Sequence, residues 1–495
     1  MKLIYGIDAK PPISKALLFA FQQMIAIMAA TLLVPMLMSS YPILNNEAST
    51  LIFDPAAALF GAGIGTIVYL LFTKRKSPVF LGSSFTFLGA YAAVIGQNYG
   101  YWGVMIGILF AGLVYVLIAV IIKFVGSGWV NKLLPAVIIG PIVALIGLSL
   151  SGTATTWMST NGSSSYNLLS ILCGLVTFLV IVIASVKGSK TLKLIPFIIG
   201  IGAGYALALI FTGIGKLANV EYMQILSFQP FIDTFGKFKI TSIFDYPKFT
   251  FLKAIQTNGQ YALDGAAIAN IAVIFIPIGI VELAQHIADH KNLSSIVEKD
   301  LITNPGLDKT LLGDGIGSIV GGFFGGAANT TYGESIGCVA ITKNASVVTI
   351  LYAAIGCMLL SFFTPFVTVI NSIPKCVMGG ACIALYGFIA VSGLQMLKKV
   401  DLNDSKNLFV VSAILVIGIG GLTLDFGTNK ITGGAFFQIT ALATALIVGL
   451  ITNLLVHLGD KNNDNTSEDI LTEGLGETEA IPPESDHTET EASEQ

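Results

Sequence analysis

Few side chains in this 495-residue chain could do chemistry, and they lie where polar groups are costly. Glu334 sits in GGFFGGAANTTYGESIGCVAITK (Gly321–Lys343), between long apolar runs, with six glycines, three threonines and Asn329 around it. A helix meant only to cross lipid would exclude nearly all of these residues. A second group lies in PIGIVELAQHIADH (Pro277–His290). At 3.6 residues per turn Glu282, Gln285, His286 and Asp289 share one face, with His290 next to them. Gln22 and Gln23 form a polar pair in FAFQQMIAIMAATLLVP, Asp314 lies in a glycine-rich run, and Ser83, Ser84 and Thr330 add hydroxyls. Ionisable groups inside apolar spans mark binding sites and ion pathways. A carboxylate there can accept hydrogen bonds from a small polar ligand and can exchange a proton. The plainer readings are glutamines as interhelical hydrogen-bond partners, hydroxyls as small packing residues, and Asp289, His290 and Asp314 as wetted groups at helix ends.

The same inventory excludes other chemistries. The histidines of HIADH are four apart, but the string lacks the glutamate of the HExxH zinc motif. No paired nucleophile and base suggests an enzyme, and no cofactor or metal is expected. The five cysteines (Cys173, Cys338, Cys357, Cys376, Cys382) lie in or beside apolar runs, spaced for neither a metal site nor a disulfide framework.

The elements that must position these residues are membrane helices. The chain is 54% hydrophobic and only 11% charged, and apolar runs near 20 residues recur from end to end. The N-terminus has no cleavable signal pattern. Fourteen segments are expected, at about 14–38, 55–73, 79–96, 102–124, 134–151, 166–186 and 194–213, then 265–288, 311–327, 329–343, 346–371, 376–397, 407–425 and 437–458. An aromatic and polar insert at 214–264 reads as an ordered loop outside the membrane. With the 1–13 terminus cytoplasmic, the alternation of segments puts nineteen of the 26 Lys and Arg on the cytoplasmic side. The 460–495 tail holds twelve Asp and Glu against one Lys, which leaves +8 on the rest of a chain whose net charge is −3. That composition reads as disordered. Seven segments on each side of the insert imply two inverted repeats, 14–213 and 265–459. The third segment of each half, VFLGSSFTFLGAYAAVIG and NTTYGESIGCVAITK, is short and rich in Gly, Ser, Thr and aromatics. Paired interrupted segments of this kind point to a transporter's central site, with free backbone N–H groups at the start of a half-helix.

NTTYGESIGCVAITK, FLGSSFTF, FQQMIAIMAATLLVPML and KDLITNPGLDKTLLGDGIGS resemble the nucleobase–ascorbate transporter family (nucleobase:cation symporters), most of all its bacterial uracil permease branch. The resemblance spans nearly the whole chain apart from the insert and the tail. It implies a core domain of segments one to four and eight to eleven, and a gate domain of the remainder. It also implies alternating access of the elevator type, proton-coupled nucleobase uptake, and a homodimer formed through the gate domains. By position Glu334 matches the acid that binds the uracil ring, with the Gly333 or Glu334 amide free for a ring carbonyl. Phe85, with the Ser84–Phe85 backbone, matches the third-segment contact, and Tyr332 an aromatic beside the site. Two positions depart from the branch: Gln22-Gln23 stands where Gln-His is usual, and Gln285 where a Glu usually binds the base and takes part in proton coupling. Glu282, one turn earlier, and Asp289 are then candidates for the coupling proton, together with Glu334.

The expectation is an all-α polytopic plasma-membrane protein with both termini cytoplasmic, whose partners are a nucleobase and lipid and not nucleic acid. It imports uracil by proton symport. A purine permease is the nearest alternative, and an anion transporter of the same architecture is disfavoured by the charge of Glu334. A passive channel would not need two broken helices around a titratable acid.

Overall fold

The computed structural model describes residues 3–39, 42–43, 46–126, 128–129, 134–163, 165–189, 192–257, 263–428 and 435–458. The 460–495 tail lies outside them. Among the described residues, eight helices are long and apolar enough to cross a membrane: Ile13–Met38, Pro55–Phe72, Gly100–Val125, Ala136–Thr160, Leu168–Lys187, Pro196–Leu217, Gly265–Val297 and Lys375–Met396. The chain is a multi-pass membrane protein. In chain order the helices are α1 (Ile13–Met38), α2 (Pro55–Phe72), α3 (Leu88–Gly96), α4 (Gly100–Val125), α5 (Ala136–Ser149), α6 (Ser151–Thr160), α7 (Leu168–Lys187) and α8 (Pro196–Leu217). After the short α9 (Gln229–Phe235) and α10 (Thr250–Gln256) come α11 (Gly265–Val297), α12 (Leu307–Gly325), α13 (Gly333–Thr342) and α14 (Val347–Leu360). The last four are α15 (Thr364–Asn371), α16 (Lys375–Met396), α17 (Ser405–Ile419) and α18 (Ala441–Val456). Helix starts follow local chemistry: Asp54, Asn167, Asp264 and Thr440 each accept a hydrogen bond from a backbone N–H of the first turn of α2, α7, α11 and α18.

Several expected segments are not single helices. After a short strand pair, β1 (Pro42–Ile43) with β2 (Asn46–Thr50), the third is a strand, β3 (Leu81–Ser83), followed by α3, and the tenth is a strand, β4 (Asn329–Thr331), followed by α13. The eleventh splits into α14 and α15, the second piece opening on Pro365 within its first turn. The thirteenth and fourteenth are α17 and α18, shortened by a strand pair, Leu424–Thr428 with Ala435–Ile439. Helix α17 ends where Gly421 takes a left-handed φ of 71°. Helix α11 runs nine residues past its expected end, because no breaker intervenes before Glu298 turns left-handed.

The helices pack as two groups. Helices α1, α2, α4, α12 and α14 contact one another, with α11 against α4, and α5 to α8 pack around α16, with α17 against α5 and α18. The insert carries α9 and α10. Asp245 N donates to Phe362 O and Thr364 N to Ile243 O, which docks it on the α14–α15 turn.

Glycines set the α2–α12 contact, which carries β4. A Cβ on Gly61 would fall 2.5 Å from Gly321 O, and one on Gly65 2.7 Å from Gly317 O. Small residues four apart let backbones approach this closely. The Asn329 side chain fills the groove between them, its Nδ2 donating to Gly61 O at 2.9 Å. A Cβ on Gly321 would overlap that amide. Gly321→Ala should therefore dislodge Asn329 and loosen β4, at a cost of about 1–3 kcal/mol. A thermal-unfolding midpoint in detergent equal to that of the parent protein would refute this.

Candidate functional site

The two interrupted segments meet. Strands β3 and β4 pair antiparallel, Leu81 opposite Thr331, Gly82 opposite Thr330 and Ser83 opposite Asn329. Ser84 N extends the ladder to Ala328 O at 2.8 Å. Side chains close it on all sides. Thr66 Oγ1 accepts from Leu81 N, Tyr91 OH accepts from Ala328 N, and Ser318 Oγ donates to Asn329 O. Extended backbone at membrane depth survives only when its polar groups are satisfied within the protein in this way. Gly82 is required by the crossing: a Cβ there would lie 2.3 Å from the Tyr332 ring.

Helices α3 and α13 leave this ladder in sequence, so their N-termini start beside it. At α13 the first intrahelical donor is Ile336 N, to Tyr332 O. Glu334 lies in the first turn, where free amides and the helix dipole favour a negative group. Gly333 is exposed, with open space where a Cβ would be, and Glu334 is half-buried. Helix α11 packs against α13 and β4. On it Gln285 and Asp289 are both half-buried. Gln285 makes no hydrogen bond to another described residue. Asp289 accepts from Thr331 Oγ1 at 2.7 Å and lies within electrostatic reach of Glu334, Glu282 and Asp314. Phe85 packs edge-on against Tyr386 of α16, ring centroids 5.6 Å apart, which brings the second helix group to the rim.

The remaining expected residues are placed as follows. Tyr332 is buried, and its hydroxyl donates to Ser83 O at 2.7 Å, so it clamps the strand crossing. Gln23 is buried and its Nε2 donates to Ser335 Oγ, which also accepts from Phe80 N. It thereby ties α1 to the residue after Glu334. Ser84 Oγ donates to Glu282 Oε1 at 3.1 Å. Glu282 is 1% exposed and points at the strand pair.

Two residues read in sequence as helix-end groups, Asp314 and His290, are interior. Asp314 is 1% exposed, and its Oδ2 lies 2.6 Å from His286 Nδ1, while His286 Nε2 meets Thr310 Oγ1 at 3.1 Å. His290 is fully buried, stacks on His286 with ring centroids 4.1 Å apart and bonds Tyr69 OH at 2.8 Å. The reading of Asp314 and His290 as solvated is thus corrected: α11 extends far enough that both lie inside its packed face. Their polarity in an apolar run was the available signal, but the pairing partner, 28 residues away, was not readable. A cavity of about 1130 Å³ lies elsewhere, lined among others by Asp54, Trp157, Asp233, Lys237 and Lys375, and by none of the site residues.

A family model described as "Permease family" (Xan_ur_permease) matches residues 14–426. The chain is 36% identical to the uracil permease of Bacillus caldolyticus over 457 residues, covering 92% of this chain and 95% of the relative. It is 36% identical to that of Bacillus subtilis (strain 168), covering 91% and 94%, and 33% identical to that of Escherichia coli (strain K12), covering 91% and 95%. In fold it is similar to the transmembrane domain of the cyanobacterial bicarbonate transporter BicA, with a TM-score of 0.53, 15% identity and coverage of 91% and 100%. It is also similar to the murine anion transporter Slc26a9 in its inward-facing state, with a TM-score of 0.58, 11% identity and coverage of 91% and 69%. The family and its relatives are named as permeases, and the chain belongs to the nucleobase–ascorbate transporter family.

Proposed function

We propose that this protein imports a nucleobase, uracil first, across the plasma membrane by proton symport with an elevator-type alternating access. One observation carries the reading: a half-buried carboxylate at the start of a half-helix, beside the open space at Gly333 and next to α11, whose half-buried Gln285 has no hydrogen-bond partner among the described residues. Uracil is planar and offers ring N–H donors and carbonyl acceptors. Glu334 accepts from the N–H groups, the Gly333 or Glu334 amide donates to a carbonyl, Gln285 bonds a further edge, and Phe85 with the Ser84–Phe85 backbone holds the base from the other strand. Tyr332 and Gln23 position this set through Ser83 and Ser335. The relatives named uracil permeases support the substrate class.

The two helix groups support a core of α1 to α4 with α11 to α15, moving against a gate of the remainder. The matching strand-then-helix pieces support two inverted seven-span repeats, 14–213 and 265–459; cytoplasmic termini and a homodimer through the gate complete the reading. The coupling proton is carried by Asp289, Glu282 or Glu334, because a carboxylate at this depth is favoured in its neutral form unless a counter-charge is bound. A purine is the second reading, since Gln285 offers both a donor and an acceptor to a base edge.

Uptake of radiolabelled uracil into proteoliposomes tests this, with and without an inward proton gradient and with unlabelled xanthine, hypoxanthine and adenine as competitors. Saturable uracil entry, accelerated by the gradient, is expected. Entry of a purine without uracil would overturn the substrate, and gradient-insensitive uptake would overturn the coupling.

A further inference from the structure

Helix α13 carries Glu334 in its first turn, yet it is only ten residues long and holds two glycines, Gly333 and Gly337. A helix this short does not stand without tertiary contacts. One side of it is bare. Gly333, Gly337 and Ile341 follow one another at four-residue steps, so they share a face. A Cβ on either glycine would meet open space, and Ile341 is exposed. The start of the helix is tied to β4 by the chain and to α1 by Gln23, which donates to Ser335 Oγ. Its far end is met by the N-terminal segment.

Residues 4–9 run along the turn between α13 and α14. Tyr5 and Asn344 form a parallel bridge. Ile4 N and Tyr5 N both donate to Lys343 O, at 2.8 and 3.3 Å, Ala345 N donates to Tyr5 O at 2.9 Å, and Val347 N donates to Ile7 O at 3.2 Å. Ser346 Oγ donates to Ala9 O at 2.6 Å. Lys343 is the residue that ends α13, in a left-handed conformation with a φ of 55°. Carbonyls at a helix C-terminus lack intrahelical donors, and the segment supplies two to this one. Its own position is set by Ile7, which is buried, and by the Tyr5 ring, edge-on to Phe19 of α1 with centroids 6.0 Å apart. Pro11 and Pro12 join it to α1, and their fixed φ angles stiffen that elbow.

We propose that residues 4–9 are a positioning segment for the nucleobase site. Together with α1 they clasp α13 at both ends and hold Glu334 in register with the β3–β4 pair, while the bare face stays free. One stretch of chain does both: Tyr5 caps the end of α13 and Gln23 braces its start, about 15 Å away along the helix. The segment bonds the end of α13 opposite Glu334, so it acts on the site through the helix. The clasp stands on its own geometry, and only its effect on base affinity rests on the function proposed above. A base that meets a loosened α13 must order it on binding, and that entropy weakens affinity.

The test is hydrogen–deuterium exchange of the purified full chain in detergent, read in peptides covering residues 335–347, beside binding of radiolabelled uracil. Val347→Pro removes one donor of the clasp. Val347 is the first residue of α14, a position where proline is tolerated. Ser346 before it already has the extended φ of −65° and ψ of 121° that a following proline requires. Val347→Ala trims the same side chain and keeps the N–H. Deletion of residues 3–8 removes the backbone groups that bond Lys343, Ala345 and Val347. Exchange in α13 should rise about two- to tenfold in Val347→Pro, the equivalent of one backbone hydrogen bond, and further in the deletion. Exchange in α2 and α12 should be unchanged, and Val347→Ala should match wild type. Uracil should bind several-fold more weakly to both clasp variants, with the number of sites unchanged. Wild-type exchange of α13 in the deletion, an equal rise in Val347→Ala, or a rise spread evenly over all helices overturns the clasp. Faster α13 exchange with an unchanged uracil Kd overturns its role in positioning. Absence of uracil binding in wild type overturns the substrate instead, and exchange alone then decides the clasp.

Discussion

Glu334→Gln should leave the protein folded and remove most of its uracil uptake. The carboxylate reaches only the start of its own helix, so no inter-element hydrogen bond of the described structure is lost with its charge. The ring contacts are lost instead. A hydrogen bond to a charged acceptor contributes about 1.5–3 kcal/mol, which corresponds to a ten- to hundredfold weaker Kd. The Gln amide also presents two donors where the ring presents donors. Uracil binding measured beside uptake checks the assignment: Kd and KM should rise together while the gel-filtration profile is unchanged. Glu334→Asp should recover part of the affinity, because the acceptor remains but is withdrawn by one methylene. Uptake at wild-type KM in Glu334→Gln would remove this residue from the site.

Asp314→Ala should be among the most destabilising single changes in the protein. It removes the partner of His286 Nδ1 at a position with 1% exposure, deep between α11 and α12. Breaking a buried pair from one side costs about 3–5 kcal/mol, on the order of 10 °C in the unfolding midpoint. His286→Leu alone should cost a similar amount, because Asp314 then keeps a buried carboxylate without its imidazole. The double variant His286→Leu with Asp314→Leu should be less destabilised than the sum of the singles, since apolar replacements of both partners leave no unpaired polar group. Additive losses would show that the pair is not the interaction that holds these helices. The stacking of His290 on His286 and its bond to Tyr69 make a wider polar seam against α2, so a small residual coupling with Tyr69→Phe is also expected.

Composition and periodicity by themselves determined the solvent this chain folds in, the order and approximate limits of most of its helices, and the two places where a helix could not continue. The reason is local. Runs of apolar residues near 20 long have no other stable home, and LGSSFT and ANTTYG carry too many polar and glycine positions for lipid. The same residues singled out Glu334 and one face of α11, because an ionisable group in an apolar run is conspicuous at any distance from its partner. Only the tertiary structure decided what each of these groups meets. Gln23 turned out to brace Ser335, Tyr332 to clamp Ser83, and Asp314 to pair with His286. The strand crossing put Thr330 and Ser84 on Glu282. These contacts join residues from 28 to 312 positions apart, through an antiparallel register that fixes which side of each strand faces α11. A one-residue slip in that register would exchange the faces of both strands, and nothing in the local sequence encodes it. It follows from Asn329 seated in the glycine groove of α2 and α12, and from the Tyr332 ring crossing Gly82.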